Sequence, residues 1–480
     1  MTSTRRDFLK KATLSGAGIV GAGMMSCSRA SGSDPFPQKQ GQTFNMSGYA
    51  APGLDVVRIG IVGLGNRGTG TVRRLASIEG VEIRALCDLE PDRVQRSADL
   101  IEHLGHKPDF YSGDEDAWKR MCEKPDLDLI AIATPWHLHT PQCVYAMEND
   151  KHAYVELPAA TTMEECWELV ETSERTRKHC VQMSGSCAGG LSATILNMVR
   201  QGFFGDVIHG EGCYIHTLTG FYLFDKDMYH NMWRLNENIG RSGNLYPQHG
   251  MVPIMQMMDI GYGDKLDYCC SISSDDFDLG PTAERLAAED DYWKQYVGRD
   301  YRGNMNVTVF KTVKGRTIVM QHDVSTSRPR GRSMLSGTRA FYETGPARLS
   351  TTEQHTGWGS YRWLADEEFR EVQEKYTPET NRRFAEFTRL AEQIDRGGHS
   401  YYRTSPVDWR LIDCLRNGLP VDMDVYEAAT SSAVTPLSIY SAKNRAFVEN
   451  IPDFTKGAWE TNQRGLDLNF ERGGGTTKLV

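Results

Sequence analysis

Apolar and polar positions change rhythm along this chain, and the rhythm divides it. Val56 to Val62 is a short apolar run, Thr69 to Ile78 carries apolar residues at helical spacing, and Val81 to Cys87 is a second run. The order predicts strand, helix, strand. The alternation continues with strands over Leu127 to Ala133 and Ala153 to Val155, and helices over Pro141 to Asn149 and Met163 to Thr176. Such alternation belongs to an α/β fold, a doubly wound parallel sheet. Beyond about residue 205 the apparent strands lengthen: Val207 to Ile215, Asn306 to Thr312 and Thr317 to His322. Asn306-Val307-Thr308-Val309-Phe310 alternates with period two, which suits an open, mostly antiparallel sheet with one covered face in an α+β domain.

The pattern predicts a leader over residues 1–30, a tether over 31–55, a Rossmann domain over 56–180, an α+β domain over 181–450 and an irregular tail over 451–480. The tether is Ser/Gly/Gln/Pro-rich from Ala30 to Leu54, and the tail lacks periodicity. A chain of 480 residues suits two domains. With 39% hydrophobic and 24% charged residues and a formal charge of -9, the composition is that of a soluble protein and opposes a nucleic-acid footprint. A small-molecule or glycan ligand stays open, as does a homo-oligomer.

The leader opens with Arg5-Arg6-Asp7-Phe8-Leu9-Lys10-Lys11, continues with a Gly-diluted apolar stretch from Ala12 to Met25, and reaches Ser26-Cys27-Ser28. It reads as a twin-arginine export signal, too short to span a bilayer. Export by that route would make the mature protein periplasmic, or a membrane-tethered lipoprotein if Cys27, a candidate lipid-anchor position, is modified. The other cysteines are scattered, without disulfide-framework or metal spacing, so reduced and buried thiols are expected.

The candidate chemistry begins at Gly63-Leu64-Gly65-Asn66-Arg67-Gly68 between the first strand and the first helix. Glycines there let the backbone approach a pyrophosphate and aim a helix N-terminus at it. Asp88 ends the next strand, where a carboxylate accepts from ribose hydroxyls and repels a 2′-phosphate; the cofactor expected is NAD. Arg67 blurs that preference. Thr134-Pro135-Trp136-His137-Leu138-His139 follows the third predicted long strand; with no third ligand in view, a polar loop lining the cofactor is favoured over a zinc site.

Taken with the segment Val155-Glu156-Leu157-Pro158-Ala159-Ala160, these motifs resemble the glucose–fructose oxidoreductase and inositol dehydrogenase superfamily. There the corresponding segment is Val-Glu-Lys-Pro-like and its lysine assists hydride transfer at a sugar hydroxyl. Here Leu157 takes its place. Together with Trp233-Arg234-Leu235, Asn244-Leu245-Tyr246-Pro247-Gln248-His249-Gly250 and Gly263-Asp264-Lys265-Leu266-Asp267-Tyr268, the segment is similar to glycoside hydrolase family 109. The resemblance runs from the leader to about residue 450. That family is known for NAD-dependent α-N-acetylgalactosaminidases.

The resemblance implies cofactor contacts at Gly63, Gly65, Asn66, Arg67, Gly68, Asp88, Trp136, His137, Leu138, His139, Glu156, Leu157 and Arg234. It implies sugar contacts at Tyr214, Tyr246, Pro247, Gln248 and His249, and at Arg330, where the family commonly has a tyrosine. His249 is the preferred general acid/base, because imidazole titrates near neutrality, with Tyr246 as partner. No metal is implied. The family's Glu-Asn-x-Cys-Tyr segment is replaced by Ser184-Gly185-Ser186-Cys187-Ala188, which puts the sugar specificity in question.

The implied reaction oxidises C3 of the sugar, acidifies C2, eliminates the C1 substituent, adds water and returns the hydride, so paired carboxylates are unnecessary. An exported enzyme that regenerates its NAD in each cycle needs no cytosolic pool. The alternatives are an NAD-dependent sugar or polyol oxidoreductase and a non-catalytic carbohydrate-binding relative.

Overall fold

The computed structural model describes residues 35–183, 186–325, 327–329, 333–355, 357–358, 362–394 and 405–480, with the backbone only for 391–394. The chain forms two compact units, Met1–Pro37 and Gln38–Val480. Of the first, only residues 35–37 are described. The leader with Arg5, Arg6 and Cys27, and also Ser184, Gly185 and Arg330, lie outside the described residues.

In the second unit, β1 (Val57–Val62), β2 (Val81–Cys87), β3 (Asp109–Tyr111), β4 (Leu129–Ile132), β5 (His152–Val155) and β6 (Cys180–Gln182) form one parallel sheet ordered β3-β2-β1-β4-β5-β6. The strand order reverses between β1 and β4, which opens a crevice at the carboxyl ends of those strands. Helices cover both faces, so β4 and β5 are buried at every position; β4 reads as a continuous apolar run, and β5 does after His152. The helix Met163–Thr176 has the predicted bounds. Thr162 accepts from the Glu165 N–H and Glu165 accepts from the Thr162 N–H, a reciprocal cap that pins its start.

The second sheet joins β7 (Val207–Ile215), β8 (Leu266–Ser273), β9 (Asn306–Thr312), β10 (Thr317–Asp323), β11 (Met334–Gly337), β12 (Ala340–Glu343), β13 (Arg348–Thr351) and β14 (Glu449–Asn450) in the order β13-β12-β11-β7-β10-β9-β8-β14. Only β7 and β10 pair in parallel; the other neighbours are antiparallel. Buried and less buried positions alternate along β9 and β10, and helices Gln248–Met257 and Val425–Lys443 pack on the covered side.

Three stretches pack differently from what their sequence pattern suggests. Helix Pro406–Asn417 returns to the first sheet, where Trp409, Leu411, Ile412 and Leu415 share a core with Ile59, Ile61 and Leu75. The tail is irregular in conformation but docked: Leu479 bridges Ile78, and the Asp413 carboxylate accepts N–H bonds from Gly475, Thr476 and Thr477. The expected tether is packed over its later part, where Met46 and Ala51 are buried and the Leu54 N–H donates to the Leu415 carbonyl. These contacts join residues hundreds of positions apart, and docking of that kind leaves no periodicity to read.

Candidate functional site

The crevice above β1, β2, β4 and β5 is a cleft of about 1080 Å³. Its floor is the glycine turn. Gly63 has φ +85, and a Cβ there would lie 2.7 Å from the Ala133 carbonyl; a Cβ on Gly68 would lie 1.7 Å from the Gly63 carbonyl oxygen. Gly68 is therefore a packing glycine beneath the cleft rather than part of its wall. A Cβ on Gly65 would meet nothing within 4 Å, so the backbone is open to a ligand at that point. Helix Asn66–Ala76 starts there with no side-chain cap and no acid in its first turn. Its free N–H ends suit a pyrophosphate.

Asp88 is buried on the same wall, accepting from the Leu64 N–H at 2.6 Å and the Glu90 N–H at 3.0 Å. One such bond on each oxygen orients the carboxylate and leaves each with acceptor capacity for a ribose hydroxyl. Arg93 stands 3.7 Å from it, and Arg67, Arg73 and Arg96 complete a basic rim. The residues present fit NAD.

At the other end the two sheets meet in an aromatic box. Trp136, from the loop after β4, stacks on Tyr246 with ring centroids 5.5 Å apart and 13° between planes. The Arg234 guanidinium lies 5.6 Å from the Trp136 ring, 5.7 Å from Tyr229 and 5.4 Å from Tyr246, and donates to the Tyr229 hydroxyl at 3.0 Å. Burial opposes its charge, but Tyr214, Tyr229 and Tyr246 outweigh that, so it is held more firmly protonated than usual. Burial, with Glu156 nearby, pushes the Tyr246 phenol well above its ordinary value, while Arg234 pulls the other way. Glu156 and Leu157 line the floor at the end of β5.

His139 is buried, with Nδ1 2.7 Å from the Pro158 carbonyl and Nε2 2.7 Å from that of Thr134. It clasps the two loops that frame the cleft, and burial disfavours its protonated form. No group of three or more metal-ligating side chains occurs among the described residues. The ten described cysteines are free thiols, so no disulfide holds the described fold.

The structure brings Gly63, Gly65, Asn66, Arg67, Asp88, Trp136, His139, Glu156, Leu157, Arg234, Tyr214 and Tyr246 to the cleft wall. It does not bring His137, Leu138, Pro247, Gln248 or His249 there. His137 is exposed, since the short helical turn Trp136–Leu138 points only Trp136 inward. Pro247 and Gln248 are buried where helix Gln248–Met257 begins. His249 stands behind the wall, its ring 5.4 Å from Tyr214 at 14° and 5.3 Å from Tyr246. His249 is half-buried and stands against both rings that face the cleft.

The sequence reading missed His216, Tyr222, Tyr229 and His230, together with Arg73, Arg93 and Arg96, and gave no role to Trp233 of the Trp233-Arg234-Leu235 motif. His216 lies two residues beyond Tyr214 in the continuation of β7, a spacing that could have drawn notice. Arg93 and Arg96 sit at i, i+3 on helix Pro91–Asp99. The Tyr229 to Met232 stretch carries no motif.

This geometry defines a dinucleotide-binding protein with an aromatic box beside its cofactor groove. Residues 57–184 match the oxidoreductase family with an NAD-binding Rossmann fold, and residues 192–461 match the glycosyl hydrolase 109 C-terminal domain. A glycosyl hydrolase family 109 protein of Shewanella pealeana is 38% identical over 96% of this chain and 98% of its own length. An alpha-N-acetylgalactosaminidase of Bacteroides fragilis is 40% identical over 86% and 95%. Among solved structures, levoglucosan dehydrogenase in complex with NADH superposes with a TM-score of 0.59 at 15% identity, over 83% of this chain and 99% of that one. The scyllo-inositol dehydrogenase of Lactobacillus casei with NAD(H) and scyllo-inositol gives 0.55 at 12%, over 82% and 99%; both likenesses concern the fold. The chain belongs to glycosyl hydrolase family 109, and it is a glycoside hydrolase with an NAD-binding domain.

Proposed function

We propose that this glycoside hydrolase removes terminal α-linked N-acetylgalactosamine or a closely related sugar through a redox-assisted elimination. One observation carries the reading: the residue after Glu156 on the cleft floor is Leu157, buried and apolar, while the polar side chains cluster around Tyr246 and Arg234. A lysine-assisted dehydrogenase would place an ammonium at that point. The name of the Bacteroides fragilis relative supports the sugar.

NAD, when bound, supplies a hydride acceptor for the sugar's C3 and returns the hydride after the C1 substituent has left and water has added. Tyr246 donates a proton to the C3 oxygen as the hydride returns: burial keeps the phenol protonated, and Arg234 stabilises the phenolate until it is reprotonated. His216, an imidazole on the same wall, takes the proton of the sugar hydroxyl when C3 is oxidised and returns it to the Tyr246 phenolate at the end of the cycle. His249 acts as a positioning residue through the rings of Tyr214 and Tyr246. Trp136 and Trp233 exclude water from one side of the box.

The reading includes export. Arg5-Arg6 and the apolar stretch after it support passage of the folded, NAD-loaded chain by the twin-arginine route, and Cys27 supports a lipid anchor. Cell fractionation with mass spectrometry of the mature N-terminus tests both. The catalytic reading is tested with p-nitrophenyl α-N-acetylgalactosaminide in deuterated water. The expected result is free sugar labelled at C2 with no net NADH; unlabelled sugar, or stoichiometric NADH, overturns it.

A further inference from the structure

A second cleft of about 550 Å³ is lined in part by Asn231 and Asn236, from the segment that gives Tyr229, Trp233 and Arg234 to the first. It is lined by Asn231, Asn236, Tyr292, Gln295, Tyr296 and Arg299. Nothing in the reaction outlined above uses it. Its volume falls within the range of about 300–1,000 Å³ typical of small-ligand sites, and its chemistry is specific. The exposed Tyr292 ring, backed by the buried Tyr296, offers a flat apolar face beside the donors and acceptors of three amides and one guanidinium. That mixture matches a saccharide, whose C–H faces pack on aromatic rings and whose hydroxyls pair with amides and arginine.

Two further observations tie this cleft to the first. His230 lines the main cleft and Asn231 the second, so one peptide unit separates their linings. The Asn231 side-chain amide donates to His230 Nε2 at 2.9 Å, linking side chains that face the two spaces. The backbone at this point is held in an uncommon state: Asn231 and Met232 have φ of 50 and 54 in succession. Two adjacent non-glycine residues in the left-handed region are sustained only when their surroundings over-determine them, as at ligand clamps. The far wall is also fixed. Lys226 sits 4.3 Å from the Tyr292 ring centroid and pairs with Asp290, whose carboxylate also accepts from the Tyr292 N–H at 2.9 Å.

We propose that this second cleft is an accessory glycan subsite, which holds the saccharide chain on the leaving side of the bond cut in the main cleft. It rests on the hydrolase reading above and extends it to the aglycone: the enzyme would prefer a terminal sugar carried on an oligosaccharide. Tyr292 supplies a stacking face, Arg299 and Gln295 bind hydroxyls at the rim, and Asn231 passes occupancy to His230.

The test compares the NAD-loaded enzyme with its Tyr292→Ala and Arg299→Ala variants on two substrates, an α-N-acetylgalactosaminyl-terminated tetrasaccharide and p-nitrophenyl α-N-acetylgalactosaminide. Each variant is expected to lose about tenfold in kcat/KM on the tetrasaccharide, the loss of one well-made contact, and to stay within about twofold on the p-nitrophenyl glycoside. Equal loss on both substrates, or none on either, overturns the subsite. Ligand-observed NMR of the tetrasaccharide with the Tyr246→Phe protein separates the two readings. Internal-sugar signals that broaden, and recover when Tyr292→Ala is added, support the subsite even if no glycoside is hydrolysed. Signals that do not broaden overturn it even if hydrolysis proceeds.

Discussion

Tyr246→Phe removes one oxygen from the cleft wall and leaves the packing of the ring intact. The ring lies 5.5 Å from Trp136, 4.8 Å from Tyr214, 5.3 Å from His249 and 5.4 Å from the Arg234 guanidinium, and phenylalanine keeps all four contacts. Stability should therefore change by no more than about 1 kcal/mol, the net worth of a single hydrogen bond. Catalysis should change far more. A positioned proton-transfer group contributes roughly 10²–10⁴-fold, or about 3–5 kcal/mol of barrier, so kcat should fall by that factor with KM within about threefold. The assay is p-nitrophenol release by the NAD-loaded protein, with bound cofactor quantified in the same preparation. A variant that keeps its cofactor and turns over within about fivefold of the parent would refute the role given to the phenol. A collapse of cofactor content together with activity would show that Tyr246 serves binding instead.

Three more outcomes follow from particular contacts. Gly68→Ala should empty the groove of cofactor, because its Cβ would lie 1.7 Å from the Gly63 carbonyl oxygen; Gly65→Ala, with nothing within 4 Å, should fold as well as the parent, and bound-NAD content with thermal melting of both variants checks the contrast. Burial, with Asp424 adjacent, pushes the Glu427 carboxyl up to about 8, and Tyr262 has one proton for two carboxylates at 3.1 and 3.0 Å. The folded state thus keeps a proton that the unfolded state releases above its ordinary pKa near 4.5, so stability should fall as pH rises from about 4.5 to about 8. Urea titrations across that window should show a slope of at most about 1.4 kcal/mol per pH unit, flattened in Glu427→Gln; a slope unchanged by the substitution would count against it. Trp409→Ala should destabilise by about 3–5 kcal/mol, since Trp409 is fully buried and donates from Nε1 to the Thr477 carbonyl at 2.8 Å. A loss under about 1 kcal/mol in urea denaturation would mean that the C-terminal tail is not part of the core.

Local chemistry was legible wherever a short stretch of chain dictates it. β2, β7, β9 and helix Met163–Thr176 have the bounds their apolar spacing predicts. The turn at Gly63 and Gly68 was also legible, because a left-handed φ and a close backbone approach each demand glycine in place. The segment after Tyr246 shows the limit of such reading. Tyr246, Gln248 and His249 are neighbours in sequence, yet the entry into helix Gln248–Met257 presents Tyr246 to the cleft, buries Gln248 and leaves His249 behind two rings.

The sequence by itself therefore determined the parallel sheet, the NAD groove, the absence of a dehydrogenase lysine and the family, since each rests on residue type at fixed local spacing. Tertiary structure alone decided which side chains share a wall. Arg234 came to lie among Trp136, Tyr229 and Tyr246 because two sheets meet there, and Asp413 came to hold residues 475–477 because the chain returns to its first core. Packing between distant segments chooses among side chains by direction and volume, and neither quantity is written in the spacing of a single strand or helix.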